Sequence, residues 1–134
     1  HQEHPGTGKT AKGLDAPKVD YEKLAEALGI RHVRKVNPLH VKKLRETLKE
    51  ELDRDAASLV ICEAPCELHL RRKPTHKVVV DPEICNACGV CLKIGCPAIE
   101  TDEEDRAVVN AALCVGCAVC AQVCSKNAMQ LVER

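Results

Sequence analysis

The sequence predicts an α/β segment followed by a small α+β module that is organised by cysteines. Two observations support this division. Helical and strand-like hydrophobic patterns alternate between residues 20 and 62, as in an α/β layer. Eight of the ten cysteines then lie within the forty residues from Cys85 to Cys124, in two near-copies of one motif. The module around them has no Phe or Trp, so we expect a bound metal to supply much of its folding free energy.

The first elements are predicted from caps and apolar spacing. Residues 1–18 contain Gly and Pro without a hydrophobic period and are predicted to form a loop. Asp20 suits the N-cap of a short helix over Tyr21–Leu28, with Leu24 and Leu28 on one face, and Gly29 suits its end. Residues 30–36 alternate as a strand would, with Val33 and Val36 as the buried positions.

A longer helix is predicted to begin at Asn37-Pro38, with Asn as the cap and Pro at the first helical position. Its apolar face is predicted to consist of Val41, Leu44, Leu48 and Leu52. The short apolar run Ser58–Cys62 is typical of a buried strand in a parallel sheet. Two strands and two helices cannot cover both faces of a sheet. We therefore expect a truncated start, with a half-domain that depends on residues upstream of His1 or on another chain.

The segment after this strand is polar and contains proline, and residues 67–76 are predicted to be a linker. Cys62 is expected to be a small buried hydrophobe in the strand. A zinc set of Cys62, Cys66, His69 and His76 is the alternative, but the C-x3-C-x2-H-x6-H spacing is irregular. A metal or redox role for Cys66 stays open.

The second module is predicted to contain two flanking strands and a hairpin around the cysteines. Lys77–Asp81 and Ala128–Val132 flank the cysteine region, and Ala98–Thr101 and Arg106–Asn110 form a hairpin around the acidic turn at residues 102–105. A short helix is expected after each cysteine triplet. An apolar shell is expected to surround the metal, formed by Val78, Val80, Ile84, Val90, Ile94, Ile99, Val109, Val119, Val123 and Leu131.

The cysteine spacing predicts two [4Fe–4S] clusters. It reads C-x2-C-x2-C-x4-C-P and then C-x2-C-x2-C-x3-C, close to the run of bacterial two-cluster ferredoxins. In that run the fourth cysteine of each motif binds the other cluster. The rule assigns one cluster to Cys85, Cys88, Cys91 and Cys124 and the other to Cys96, Cys114, Cys117 and Cys120.

Other uses of these cysteines fit the pattern less well. Zinc sites use pairs of C-x2-C, whereas each motif here has three cysteines at this spacing and a fourth beyond them. Disulfides suit small secreted proteins, but the chain has no apolar signal segment. Clustered thiols favour a reducing, cytoplasmic setting.

Composition excludes several partners. The formal net charge is zero, with 15 basic and 12 acidic residues in 1–74 and 5 basic and 8 acidic residues in 75–134. This balance, with Tyr21 as the one aromatic residue, does not suggest nucleic acid. No run approaches the roughly twenty apolar residues of a membrane span. GTGKT at residues 6–10 is not a Walker motif, because Glu3 stands where the first Gly is needed and no strand precedes it.

The chain resembles the C-terminal part of the indolepyruvate ferredoxin oxidoreductase alpha subunit. The resemblance is carried by HQEHPGTGKT, by Pro65-Cys66 after the apolar strand, and by CxxCxxCLKIGCPAI with its x4 gap. It implies that residues 1–66 are the C-terminal remnant of a thiamine-diphosphate-binding α/β domain. Residues 77–134 would then be an α+β, ferredoxin-like dicluster domain. It also implies a thiamine-site loop that includes His1, His4 and Gly6.

The same resemblance implies the chemistry of the complete subunit. Thiamine diphosphate and Mg²⁺ decarboxylate an aryl-pyruvate, electrons leave through the clusters to ferredoxin, and CoA takes the acyl group. A beta subunit is the expected partner. The sequence departs from the family at Ser125, which replaces a Pro, and at Cys62-Glu63-Ala64, where basic residues are usual. It also lacks the GDG…N segment that binds Mg²⁺ and diphosphate, so this chain is not expected to decarboxylate by itself.

Three functions are weighed on this basis. The leading interpretation is the electron-transfer tail of a 2-oxoacid:ferredoxin oxidoreductase. A free-standing dicluster ferredoxin is the second, although the patterned α/β segment has no evident use in a soluble carrier. A zinc-bound interaction module is the third.

Overall fold

The computed structural model describes residues 3–65 and 73–134. The chain divides into two compact units, His1–Leu70 and Arg71–Arg134. Three residues named in the sequence analysis, His1, Cys66 and His69, lie outside the described residues, as does most of the predicted linker. Strand formation begins again at His76, the last residue of that linker. Within the described residues, no helix has the length and apolar character needed to cross a membrane.

The first unit is a two-stranded parallel sheet with two helices. Its elements in order are α1 (Tyr21–Ala27), β1 (His32–Val36), α2 (Val41–Leu52) and β2 (Ser58–Cys62). Strands β1 and β2 pair in parallel from His32 opposite Ser58 to Val36 opposite Cys62. The parallel pairing and the bounds of β2 confirm the prediction from the apolar run.

The first helix begins and ends as predicted. The side chain of Asp20 accepts hydrogen bonds from the N–H groups of Glu22 and Lys23, so it fills the N-cap. Gly29 has a φ of +78°, a left-handed conformation that glycine adopts without strain just beyond a helix. The helix itself is one residue shorter than predicted.

The predicted start of the second helix is wrong. Asn37 does not cap α2, because its side-chain oxygen accepts a hydrogen bond from the N–H of Leu39 at 2.9 Å within a turn. The turn places His40 at the N-cap, and the helix begins at Val41. Asn37-Pro38 therefore forms the bend before the helix, and the N-cap lies three residues later than predicted.

The predicted apolar faces are also wrong in part. Val36 is buried as expected, but Val33 is half-buried, and Leu24, Leu28, Leu48 and Leu52 are exposed. The buried positions of α2 are Thr47 and Glu51. Charged contacts explain the position of Glu51, because Arg34 of β1 and Arg54 both pair with its carboxylate.

The second unit consists of two antiparallel strand pairs and two short helical turns. Its strands are β3 (His76–Val80), β4 (Ile99–Thr101), β5 (Ala107–Val109) and β6 (Met129–Glu133). β4 pairs with β5, as the predicted hairpin requires, and the two flanking strands β3 and β6 pair with each other. A 3-10 helix at Leu92–Ile94 follows the first cysteine triplet, and helix α3 (Val119–Val123) overlaps the end of the second.

Small residues and cysteines form the core of this unit. The buried cluster contains Val78, Cys91, Ala98, Ala107, Cys114, Cys120 and Met129. Of the predicted shell, Val80, Ile99, Val109 and Val123 pack against this cluster. Ile84, Val90, Ile94 and Leu131 are instead more than a third exposed, which corrects the prediction for these four.

Candidate metal centre and cofactor cleft

The two cysteine loops share an unusual backbone conformation. The third and fifth residues of each motif have positive φ: Ala87 (53°) and Gly89 (67°) in the first, Gly116 (71°) and Ala118 (57°) in the second. A left-handed alanine is strained. The left-handed conformation nevertheless recurs at matched positions of the two motifs, whether the residue is alanine or glycine, which indicates that the shape of the loop is imposed. Successive N–H groups of a backbone with left-handed residues converge into a concave nest, a feature of many iron–sulfur sites.

The first predicted cluster site is assembled from both halves of the unit. One cavity is lined by Cys85, Cys88 and Cys91 of the first motif and by Cys124 of the second. Apolar side chains of Val80, Leu92 and Met129 line the same cavity, with Asp105 and Lys126 also present. The donor set and the apolar lining therefore fit a cluster bound by four thiolates, with the crossed arrangement that the spacing predicts.

The second triplet is more deeply buried. Cys114 and Cys120 are buried, and Cys117 is half-buried. The N–H of Val78 in β3 donates a hydrogen bond to the Sγ atom of Cys114 at 3.4 Å. Such N–H···S contacts orient a metal-binding sulfur and adjust its electron density. Cys96, the predicted fourth ligand, packs against the same buried cluster.

Burial disfavours ionisation of these thiols in the metal-free chain. Desolvation raises the pKa of Cys120 to about 11 and also raises the pKa of Cys91. Iron binds thiolate rather than thiol, so cluster binding has to displace these protons.

Single-ion binding is a separate question. Within residues 3–65 and 73–134, no group of three or more His, Cys, Asp or Glu side chains is arranged to hold one metal ion. A cubane cluster does not require such a group, because each of its four thiolates binds a different iron.

The first unit contains a cleft of about 540 Å³, a size typical of small-molecule sites. It lies beside the carboxyl end of β2, where ligands commonly bind in parallel α/β sheets. Two predicted site residues, His4 and Gly6, line it. The N–H of Gly6 donates to Nδ1 of His4 at 3.1 Å. A Cβ atom at Gly6 would meet the hydroxyl end of the Tyr21 side chain, which would have to move to admit a larger residue.

Cys62 is placed differently from its prediction. It is exposed, not buried, and lines the cleft at the last position of β2. The strand ends where the sheet edge opens into the cleft, so its final side chain has no layer to cover it. His76, once considered with Cys62 in a zinc set, lies in β3 of the second unit, where its Nδ1 contacts Thr75 Oγ1 at 2.8 Å.

Several cleft residues were not singled out from the sequence. Charged side chains of Lys18, Lys35 and Glu63 line it, and Lys35 forms an ion pair with Glu22 at 2.7 Å. Glu22 holds the pKa of Lys35 above its usual value by hydrogen bonding to the ammonium group. The sequence did offer one signal for Glu63, because a residue directly after a parallel strand commonly lies at a ligand site.

Comparison with known families identifies the class of the first unit. Residues 1–62 match the family described as thiamine pyrophosphate enzyme, C-terminal TPP binding domain. This match covers α1, β1, α2, β2 and the cleft loop. It supports the thiamine-diphosphate part of the resemblance drawn from the sequence.

Individual relatives narrow the class further. The chain is 33% identical to the indolepyruvate oxidoreductase subunit IorA of Methanothermobacter thermautotrophicus, over 96% of this chain and 21% of the relative. It is 36% identical to the subunits of the same name from Archaeoglobus fulgidus and Pyrococcus horikoshii, over 97% and 98% of this chain and 22% of each relative. The chain thus spans about a fifth of the length of these relatives. The matches show that nearly the whole of this chain is similar to a part of such a subunit.

Proposed function

We propose that this chain is the C-terminal, electron-transferring part of a thiamine-dependent 2-oxoacid oxidoreductase acting on indolepyruvate or a related aryl-pyruvate. The observation that carries the proposal is the cavity lined by three cysteines of one motif and the fourth cysteine of the other. Crossed ligation of this kind is the mark of two-cluster ferredoxin modules. The similarity to IorA subunits supports the enzyme class.

Cys85, Cys88, Cys91 and Cys124 would hold one [4Fe–4S] cluster, and Cys96, Cys114, Cys117 and Cys120 would hold the other. When bound, each cluster accepts and passes on one electron at a time. The chain positions the thiolates on two left-handed loops and covers them with apolar side chains such as Val78 and Met129. The Val78 N–H donates to Cys114 Sγ and thereby stabilises negative charge on that sulfur.

The first unit would contribute to a thiamine diphosphate site. His4 and Gly6, with His1 ahead of them, are proposed to lie beside this cofactor in the cleft. Diphosphate and Mg²⁺ would be held largely by the GDG…N segment of a complete subunit, which this sequence does not contain. Decarboxylation, transfer to CoA, pairing with a beta subunit and reduction of ferredoxin are accordingly proposed for the complete enzyme.

A free-standing dicluster ferredoxin is the second candidate. The cysteine unit taken alone favours it, because that unit has its own core and strand pairs. The family match over residues 1–62 weighs against it, since a thiamine-binding domain has no role in a soluble carrier. Gel filtration of the complete subunit with the beta subunit separates the two. Co-elution supports the enzyme, and a subunit that stays monomeric supports the carrier.

The cluster proposal is tested by metal analysis. The complete subunit, expressed and purified without oxygen, should contain about eight iron atoms and about eight acid-labile sulfides per chain. Zinc without labile sulfide would contradict the proposal and favour the interaction module. A broad visible absorbance that bleaches on reduction should accompany the iron.

A further inference from the structure

The second unit is an internal repeat whose two halves correspond at an offset of 29 residues. The carbonyl oxygen of Asp81 accepts the N–H of Cys85 at 3.0 Å, and that of Asn110 accepts the N–H of Cys114 at 3.0 Å. Both side chains also form the same turn. Asp81 accepts the N–H of Glu83 and Asn110 accepts the N–H of Ala112, each at 3.0 Å. The backbone before each cysteine triplet is therefore equivalent.

The charges at equivalent positions are not equal. Asp81 corresponds to Asn110, so a carboxylate precedes the first triplet and a neutral amide precedes the second. Glu83 corresponds in the same way to Ala112. Asp105, in the lining of the first cavity, adds a third carboxylate to this half of the unit.

The third pair of positions is Asp105, two residues before β5, and His76, the first residue of β3. Asp105 lines the cavity of the first site. The backbone carbonyl oxygen of His76 would be 2.6 Å from a Cβ atom at Gly116 of the second loop. The carboxylate of the first half therefore corresponds to a residue without an acidic side chain beside the second loop.

Basic residues act at both sites. Lys126 lines the first cavity with Asp105 and offsets part of the negative charge there. Arg134 serves the second site, where its Nη2 donates to the carbonyl oxygens of Cys114, at 2.6 Å, and of Ala111. Its Nε donates to the carbonyl oxygen of His76 at 3.4 Å. The guanidinium thus lies within hydrogen-bond distance of a ligand residue of the second site.

We propose that these charges make the two sites unequal, so that the site of Cys96, Cys114, Cys117 and Cys120 takes up the first electron. The site of Cys85, Cys88, Cys91 and Cys124 is then the donor within the chain. This inference rests on the proposed cluster function. An added electron is negative charge, so nearby carboxylates lower the reduction potential of a site and a guanidinium raises it.

The expected size follows from Coulomb's law. At an effective dielectric constant of about 20, one unit charge at roughly 10 Å changes a one-electron equilibrium by more than about tenfold. Several such charges differ between the sites, and because Glu83, Asp105 and Arg134 are exposed, their effect should weaken as the salt concentration rises. The one-electron-reduced protein should therefore carry its electron predominantly at the second site.

Isosteric exchanges test the proposal with little effect on folding. In the complete subunit loaded with clusters, Asn110→Asp should lower the higher of the two potentials, because Asp81 shows that a carboxylate fits this turn. Asp81→Asn should raise the lower potential. Each exchange should narrow the gap between the two reduction potentials. The shift should change the distribution of the electron between the two sites by several-fold or more. An EPR-monitored redox titration measures both potentials.

Arg134 is tested by a matched pair. Arg134→Gln should lower the higher potential, whereas Arg134→Lys should leave it near the wild-type value because the positive charge is kept. An equal fall in both variants would show that Arg134 acts through its hydrogen bonds and would overturn its electrostatic role.

The remaining outcomes are decisive. Two equal potentials in the wild type, or an Asn110→Asp exchange that lowers the lower potential, would overturn the inference while leaving the clusters in place. Absence of iron and labile sulfide in the same preparation would instead overturn the proposed function.

Discussion

The two units of this chain are stabilised in different ways. The first unit has a parallel strand pair and two helices, yet its large apolar side chains are poorly covered, with Leu28 70% and Leu52 83% exposed. The second unit has shorter strands but a closed core of small residues and cysteines, in which Val78 and Ala98 are each 2% exposed. Regular secondary structure alone therefore does not provide a core, whereas closely spaced ligands around a shared centre can.

The difference teaches where local sequence determines structure. In the second unit, the three cysteines of each triplet are placed by a spacing of two residues and by left-handed positions within the same loop. In the first unit, the buried side of α2 depends on a residue of another element, because Arg34 of β1 pairs with Glu51. Predictions that separate these two kinds of organisation are given from the largest expected effect to the smallest.

The largest effect is expected from removing a crossed ligand. Cys124→Ala should lose about half of the bound iron, because it removes the fourth ligand of one of two clusters. The cluster that remains should give the same EPR signal as the one that remains in Cys88→Ala. Cys96→Ala should leave the other signal, the same as in Cys117→Ala. Cys62→Ala, in the first unit, is the control and should retain all the iron.

The crossed assignment would be wrong if the cluster remaining in Cys124→Ala gave the same EPR signal as the one remaining in Cys117→Ala. A loss of iron in Cys62→Ala would show that the two units do not divide the metal and cleft residues as proposed. Iron analysis and low-temperature EPR of the same anaerobic samples provide both measurements.

An intermediate effect is expected at two glycines of the cysteine loops. Both have positive φ, but a Cβ atom at Gly116 would lie 2.6 Å from the carbonyl oxygen of His76, whereas one at Gly89 would lie 3.9 Å from Leu92 Cδ1. Gly89→Ala adds strain of about 1–2 kcal/mol and recreates the alanine found at the equivalent Ala118. Gly116→Ala adds a backbone clash to that strain.

The measurement is the rate at which the visible cluster absorbance is lost in denaturant. In Gly89→Ala, the absorbance should be lost faster than in the wild type by no more than about thirtyfold. This factor corresponds to a barrier lowered by the full strain of about 2 kcal/mol. Gly116→Ala should lose one cluster before or during purification. Similar behaviour of the two variants would mean that His76 does not restrict the second loop, and would weaken the distinction between the two loops.

The sequence predicted the second unit well because its signals are local. The hairpin, the two flanking strands and the helical turn after the first triplet were confirmed, whereas the second helix begins within its triplet. Its shell was predicted less well, since Ile84 and Leu131 are exposed while Ala107 is buried. Side-chain size was the misleading signal. Where backbone segments approach closely, a small residue is enclosed and a larger neighbour is directed outward.

In the first unit, the sequence located the elements but not their faces. A run such as Ser58–Cys62 identifies a parallel strand without showing that its last residue opens into a cleft. The cap at Asp20 was predictable because it acts within its own turn. The cap expected at Asn37 was not, because a nearby proline allowed a competing turn. His4 and Gly6 were placed in the cleft by loop folding that no periodicity encodes.

The smallest effect is expected at the buried carboxylate of the first unit. The side chain of Glu51 is 3% exposed, and its Oε2 accepts a hydrogen bond from Arg54 Nε at 3.0 Å. Arg54, aided by Arg34, holds the pKa of Glu51 below its usual value. The carboxylate therefore stabilises the folded unit above the unfolded-state pKa of about 4.3, and this contribution is lost as the pH falls through the lower folded pKa.

Glu51→Gln should accordingly reduce hydrogen-exchange protection of β1 and α2 at pH 7 and flatten its dependence on pH below about 4. The neighbouring Glu50→Gln is the matched control, since Glu50 also pairs with Arg34, at 3.4 Å, but its side chain is 52% exposed. It should change protection by no more than about twofold. Equal effects of the two variants would show that burial does not strengthen the Glu51 pairs. The first unit would then owe its stability to its strand pairing and caps alone, which would sharpen its contrast with the cysteine-centred second unit.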